Sequence, residues 1–218
     1  MHEFDGLPIH ERPVVLFDFD GTVADTQPAI MRAVGTVLSN HGYELSEEQM
    51  LPLIGPPLEI GIKLVTDMGE QEAQVVAAEY RALFERTVTP ADIPLFPHTA
   101  DLRCAGGPWR LLWRRRARGA DALPILGVTQ FEAVAGRIPG FRETKAESIA
   151  AALDALGATS ADAVMVGDRM YDVRGAAELG IPCIGIYSGA AVPGELEEAG
   201  AVAACKDMLE VGRVLGVW

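Results

Sequence analysis

The sequence predicts an α/β protein: a parallel sheet covered by helices, with a separate helical block inserted after the first strand. Three observations carry this. Two short apolar runs, VVLFDF at 14–19 and AVMVGD at 163–168, each end in acids. Buried parallel strands look like this when their carboxyl ends face a polar site. After Pro97 strands and helices alternate, the pattern of a parallel sheet with helices on both faces. Between the first strand and Pro97 lie roughly 65 residues whose apolar positions recur at helical spacing, with no convincing strand among them.

Taken in order, the first run leads into Gly21, which permits a sharp turn. Thr26 followed by Pro28 reads as a helix start, threonine as N-cap and proline in the first turn. Three helical stretches follow, PAIMRAVGTVLSNHGY, LEIGIKLVTDMG and EQEAQVVAAEYRALFERTV, punctuated by Gly42, Gly55 and Gly69 with Pro52, Pro56 and Pro57 nearby. Gly55-Pro56-Pro57 and Arg81 read either as ligand contacts of this block or as packing and a surface ion pair. Further on, Thr144 and Glu147 form a capping box that opens the helix AESIAAALDALG, and Gly157 stops it. The second apolar run comes next. A helix over 171–179 ends at Gly180, and then come a strand IPCIGIY, a helix around 195–199 and a last short helix.

With 218 residues, 49% of them hydrophobic, the chain has ample material for a core and is neither disordered nor a small stapled scaffold. Its net charge of −13 argues against a nucleic-acid partner or an anionic membrane surface. Three scattered cysteines, Cys104, Cys183 and Cys205, suit neither a disulfide framework nor a CxxC metal site, so a reduced cytoplasmic setting is expected. The acidic, polar N-terminus lacks the apolar core of a signal peptide, and no run is long and apolar enough to span a membrane. The oligomeric state is not legible.

In open parallel sheets, sites form at the carboxyl ends of strands, so the two acid clusters are expected to meet there. Asp18 and Asp20 sit two apart, with Gly21-Thr22 directly after. Such a pair can hold a hard cation through oxygen, divide nucleophile and acid/base work, or simply form a solvated Asx turn. Asp168 ends the second strand, and Asp172 lies one helical turn further on if a helix begins near Arg169. The alternative for Asp172 is an acid favoured by the helix dipole. Lys145 is one of only three lysines and sits in the first turn of a helix, where the dipole opposes a cation. It reads as a phosphate clamp or as a solvated surface lysine.

Together these segments resemble the haloacid dehalogenase-like (HAD) phosphohydrolases over essentially the whole chain. DFDGTVADT is similar to that family's first motif, RETKAESI to its Lys-bearing third and GDRMYDVRGAAELGI to its fourth. The likeness is greatest to phosphoglycolate phosphatase-like and 5′-nucleotidase-like members. It implies a Rossmann-like core at 1–25 and 91–218, and a helical cap at 26–90 that closes over small substrates. It also implies a Mg²⁺-dependent phosphatase acting on a small phosphorylated metabolite. Asp18 would be the nucleophile and Asp20 the acid and base. Lys145 would neutralise the transferring group, and Gly21 and Thr22 would contact substrate. Mg²⁺ would be held by Asp18, Asp20 through its carbonyl, and Asp168, with Asp172 ordering the metal shell. An acid at position 20 favours phosphoryl over carbon–halogen chemistry. A phosphomutase of the same superfamily is the enzymatic alternative.

One stretch departs from the pattern. The family's second motif is a strand ending in Ser or Thr, yet no Ser or Thr lies between Thr99 and Thr129. The gap contains RCAGGPWRLLWRRRARGADAL at 103–123, with six arginines against one aspartate, or +5; the 12 basic and 30 acidic residues elsewhere give −18. Three explanations arise: an out-of-frame reading over 103–125, a true divergence that leaves an impaired enzyme or a binding protein, or an arginine in place of the hydroxyl. The first accounts best for the excess of Arg, Gly, Ala, Pro and Trp. It requires that another frame of the coding DNA encode an apolar strand ending in Ser or Thr; if neither frame does, the explanation fails. Because WRRRAR cannot be buried in a central strand without unpaired charge, the segment is expected to loop out or to destabilise the protein.

Overall fold

The computed structural model describes residues 6–102, 109–112, 134–136, 138 and 141–217. The chain divides into two compact units, Met1–Asp25 with Pro94–Trp218, and Thr26–Ile93. The second boundary lies three residues beyond the expected one. The short turn Pro90–Asp92 goes with the helices, to which Arg32 binds it by donating to Asp92 at 2.8 Å.

The second unit is helical: α1 (Gln27–Asn40), α2 (Glu47–Met50), α3 (Leu58–Val65) and α4 (Glu70–Thr87). Its core gathers Val34 and Leu38 of α1, Ile62 of α3, and Val76 and Tyr80 of α4, all nearly or fully buried. Thr26 stands where the N-cap of α1 was expected but makes no capping hydrogen bond. Its own backbone is helical (φ −91°, ψ −14°), whereas a capping side chain needs an extended residue to reach back. Ser46, extended, does cap α2, and Gln49 returns the bond to the Ser46 N–H at 2.8 Å. Arg81 pairs with Glu59 inside this unit, which makes it a helix-to-helix tie.

The first unit is built on a six-stranded, all-parallel sheet. Its elements are β1 (Val14–Phe17), α5 (Thr99–Leu102), β2 (Trp109–Leu112), β3 (Val134–Ala135), α6 (Lys145–Leu156), β4 (Ala163–Gly167), α7 (Met170–Ala177), β5 (Cys183–Ile186), α8 (Glu195–Ala199), β6 (Ala203–Cys205) and α9 (Met208–Val214). The strand order is β3-β2-β1-β4-β5-β6. β1, β4 and β5 are buried along their whole length, as strands covered on both faces must be. On one face Leu16, Ile149, Met165 and Ile181 pack together, each worth about 1.5–3 kcal/mol when fully buried. The expected capping box forms as read, Thr144 Oγ1 accepting from Glu147 N at 3.1 Å, and Gly157 ends α6 at φ +61°.

Part of the Arg/Trp-rich stretch is a strand. Residues 109–112 form β2 and pair with β1, Phe17 opposite Leu111. Strand pairing needs only backbone N–H and C=O groups, and WRLL precedes the charged run. Residues 103–108 and 113–133, including WRRRAR and Thr129, lie outside the described residues. No helix among the described residues is long and apolar enough to cross a membrane.

Candidate active site

β1 and β4 are neighbours in register, Phe17 opposite Val166, so the residues that follow them emerge side by side. Asp18 N still donates to Val166 O at 2.9 Å, which carries the ladder to the base of the site. Beyond it the chain turns sharply. Thr22, Val23 and Ala24 N–H all point to Phe19 O, and Gly21 takes φ +79°. The two acid clusters therefore meet. One oxygen each from Asp18, Asp168 and Asp172 lies within 4.8 Å of the others, and all three residues are buried.

Lys145 enters this cluster from the first turn of α6. Its Nζ lies 2.7 Å from Asp18 Oδ1 and 2.5 Å from Asp172 Oδ1. Glycines make the approach possible. A Cβ at Gly175 would stand 2.8 Å from the Lys145 stem, one at Gly167 would stand 2.3 Å from Asp172 Cβ, and one at Gly21 would stand 2.4 Å from Asp168 Oδ2. None of these contacts is available to a larger residue without displacement.

Asp172 has two tasks. Its Oδ2 accepts from Arg169 N at 3.1 Å, closing the first turn of α7, and its Oδ1 meets Lys145. Both readings of this residue thus hold at once, helix acid and site acid. Apart from the ion pair, Asp172 Oδ1 has no hydrogen-bond donor of regular geometry among the described residues. Asp20 is half-buried and bridges to Ala24 across the turn. Gly21 and Thr22, read as substrate contacts, lie in this turn beside Asp168. Thr22 is fully buried, and its hydroxyl donates to Asp168 Oδ1 at 3.4 Å.

Burial dominates the electrostatics. It pushes the Asp18 carboxyl up from 3.8 to about 7; Lys145 opposes this, while Asp172 and Asp20 add to it. Asp168 is raised well above the carboxylate range by burial, and then by Asp172 and Asp18. Burial alone would lower Lys145, but the attraction of Asp172 and Asp18 outweighs it and holds the ammonium charged. Three buried carboxyl groups beside one lysine form a compact oxygen donor set whose charged forms burial disfavours and a bound cation would favour. That chemistry fits a hard divalent cation such as Mg²⁺.

Sequence reasoning missed the turn after β5. Ser188 Oγ donates to Gly21 O at 2.7 Å, and Ala190 N donates to Asp168 Oδ2 at 3.2 Å. The run of small residues SGAA after a strand was the available signal.

Comparisons with known proteins agree with this geometry. Residues 15–102 match the sequence model described as haloacid dehalogenase-like hydrolase, and residues 142–210 match a HAD-hydrolase-like model. The chain is 29% identical over 210 residues to a 5′-nucleotidase of Pseudomonas aeruginosa, covering 93% of this chain and 95% of that one. It is 28% identical to a phosphoglycolate phosphatase of Yersinia pestis, covering 80% and 81%. A crystal structure titled a predicted phosphatase, from Clostridium acetobutylicum, superimposes with a TM-score of 0.83 at 27% identity, over 93% of this chain and 97% of that one.

Proposed function

The chain belongs to the haloacid dehalogenase-like hydrolases, and from that premise we propose that it hydrolyses a small phosphomonoester through a covalent aspartyl-phosphate. The observation that carries this reading is the convergence of Asp18, Asp168 and Asp172 on Lys145 at the strand ends. Asp18 is the nucleophile. A carboxylate oxygen attacks phosphorus, the bond from phosphorus to the ester oxygen breaks, and Asp20 as the acid gives its proton to the departing oxygen. Asp20, now a carboxylate, takes a proton from water as that water attacks phosphorus. The acyl-phosphate bond breaks, and inorganic phosphate leaves with Asp18 restored.

Lys145, 2.7 Å from Asp18, opposes the pull of burial on the nucleophile's charge and sets a positive charge beside the transferring group. Thr22 and the Gly21 turn orient Asp168 rather than touch substrate. Asp18, Asp168 and the Asp20 carbonyl would hold Mg²⁺ with Asp172 ordering them, and the ion supplies charge neutralisation for the phosphoryl oxygens.

The names of the relatives set the substrates to try: nucleoside monophosphates and phosphoglycolate, with pyrophosphate and hexose phosphates beside them. With Mg²⁺, release of inorganic phosphate is expected from at least one of this panel. Isomerisation of a hexose 1-phosphate without phosphate release would make the chain a mutase. Release from none of the panel would overturn the phosphatase reading.

A further inference from the structure

We infer that the turn Ser188-Gly189-Ala190, leaving β5, is a positioning element that holds Asp168 and the Asp20-bearing loop in one arrangement. This rests on the reading of Asp18 and Asp168 as metal holders. Asp168 is gripped from two sides. Its Oδ1 accepts from the Thr22 hydroxyl at 3.4 Å, and its Oδ2 accepts from Ala190 N at 3.2 Å. Between those grips the turn comes as close as backbone can. A Cβ on Gly189 would lie 1.9 Å from Asp168 Oδ2 and 2.9 Å from Gly21 O. Gly189 is not among the glycines with positive φ, so an alanine there meets the site and not its own backbone. Ser188 then ties the turn to the opposite loop by donating to Gly21 O at 2.7 Å.

The far end of the turn is latched as well. Glu195 accepts from Val192 N at 3.2 Å, from Met170 N at 3.0 Å and from Arg169 Nε at 2.8 Å. The exit of β5 is thereby joined to the start of α7, the helix that carries Asp172. Glu195 is only 9% exposed; burial works against its charge, but the Arg169 hydrogen bond and the backbone N–H groups hold its carboxyl below the usual range. The loops after β1, β4 and β5 are thus cross-tied through Gly21, Asp168 and Glu195, and all of these ties but the one from Val192 join segments far apart in sequence.

Groups that orient metal ligands are worth about 10–100-fold in metal affinity. Titration calorimetry of Mg²⁺ into the whole chain, with melting of the metal-free protein alongside, tests the inference. Gly189→Ala and Ser188→Ala are expected to weaken Mg²⁺ binding about tenfold or more. Ser188→Thr keeps the hydroxyl and is expected to restore it. Metal-free melting of the Ser188 variants is expected to stay near that of the parent, which a merely structural role would not allow alongside a loss of affinity. If Gly189→Ala fails to fold, the Ser188 pair carries the test. Undiminished Mg²⁺ affinity in the variants, with binding by the parent, overturns the positioning role alone. No Mg²⁺ binding by the parent overturns it together with the metal-site reading.

Discussion

Asp18→Asn is expected to lower phosphomonoester hydrolysis by about 10²-fold or more, the scale of removing a principal catalytic group, while leaving the metal-free protein at least as stable at pH 8. The two effects have one cause. Burial raises the Asp18 carboxyl from 3.8 to about 7 despite Lys145, so without metal its charged form is a net cost to the fold. Between those pH values the folded chain keeps a proton that the unfolded chain has released. Stability from this group is therefore fully present below pH 3.8, falls as pH rises towards about 7, and is flat above. Asparagine keeps the shape and cannot ionise, so it removes that decline; Asp168, raised in the same direction, retains its own. Urea unfolding in chelator at pH 5 and pH 8, beside turnover of the best ester in the panel, measures both effects. Equal turnover in the two proteins would remove Asp18 as nucleophile. A variant less stable than its parent at pH 8 would overturn the electrostatic account.

A site whose charged form works against its own fold is where local sequence rules stop being sufficient. Strand-ending acids were legible because apolar runs and the acids that end them are contiguous, and the α6 capping box because its partners are three residues apart. The family likeness followed from those same segments. Thr26 shows the limit of such local rules: residue type and spacing suited a cap, but the backbone entering α1 is helical and the hydroxyl has nothing to close. The inward turning of Thr22, the roles of Gly167, Gly175 and Gly189 as close-approach points, and the bond from Ser188 to Gly21 all depend on chain segments brought together from far apart. β6 escaped notice because AAC is too short to show a period. In β2, WRLL carried a strand signal that the arginines following it obscured.

Lys145→Met is expected to do the complementary damage, to charge balance more than to shape. Methionine keeps an unbranched stem that can still cross Gly175, so packing is largely retained. What is lost is the ammonium that bridges Asp18 and Asp172. Stranding a buried partner costs about 3–5 kcal/mol where the remaining charge has no other relief. Here there is relief at low pH. Lys145 is the largest force holding the Asp18 carboxyl down, so its removal drives that carboxyl above 7 and lets Asp18 take a proton. The metal-free variant should therefore lose less stability near pH 5, where Asp18 is already protonated and only the pairing with Asp172 is removed, than near pH 8, where the parent's Asp18 is also charged and paired. Turnover needs the charged nucleophile, so the acid limb of kcat/KM should move to higher pH, and raising the pH should recover part of the lost rate. Urea unfolding in chelator at the two pH values, with a pH–rate profile in Mg²⁺, separates this from a simple packing defect, which would lower stability equally at both and leave the limb in place. An unmoved acid limb would mean that Lys145 serves the substrate and not the ionisation of Asp18.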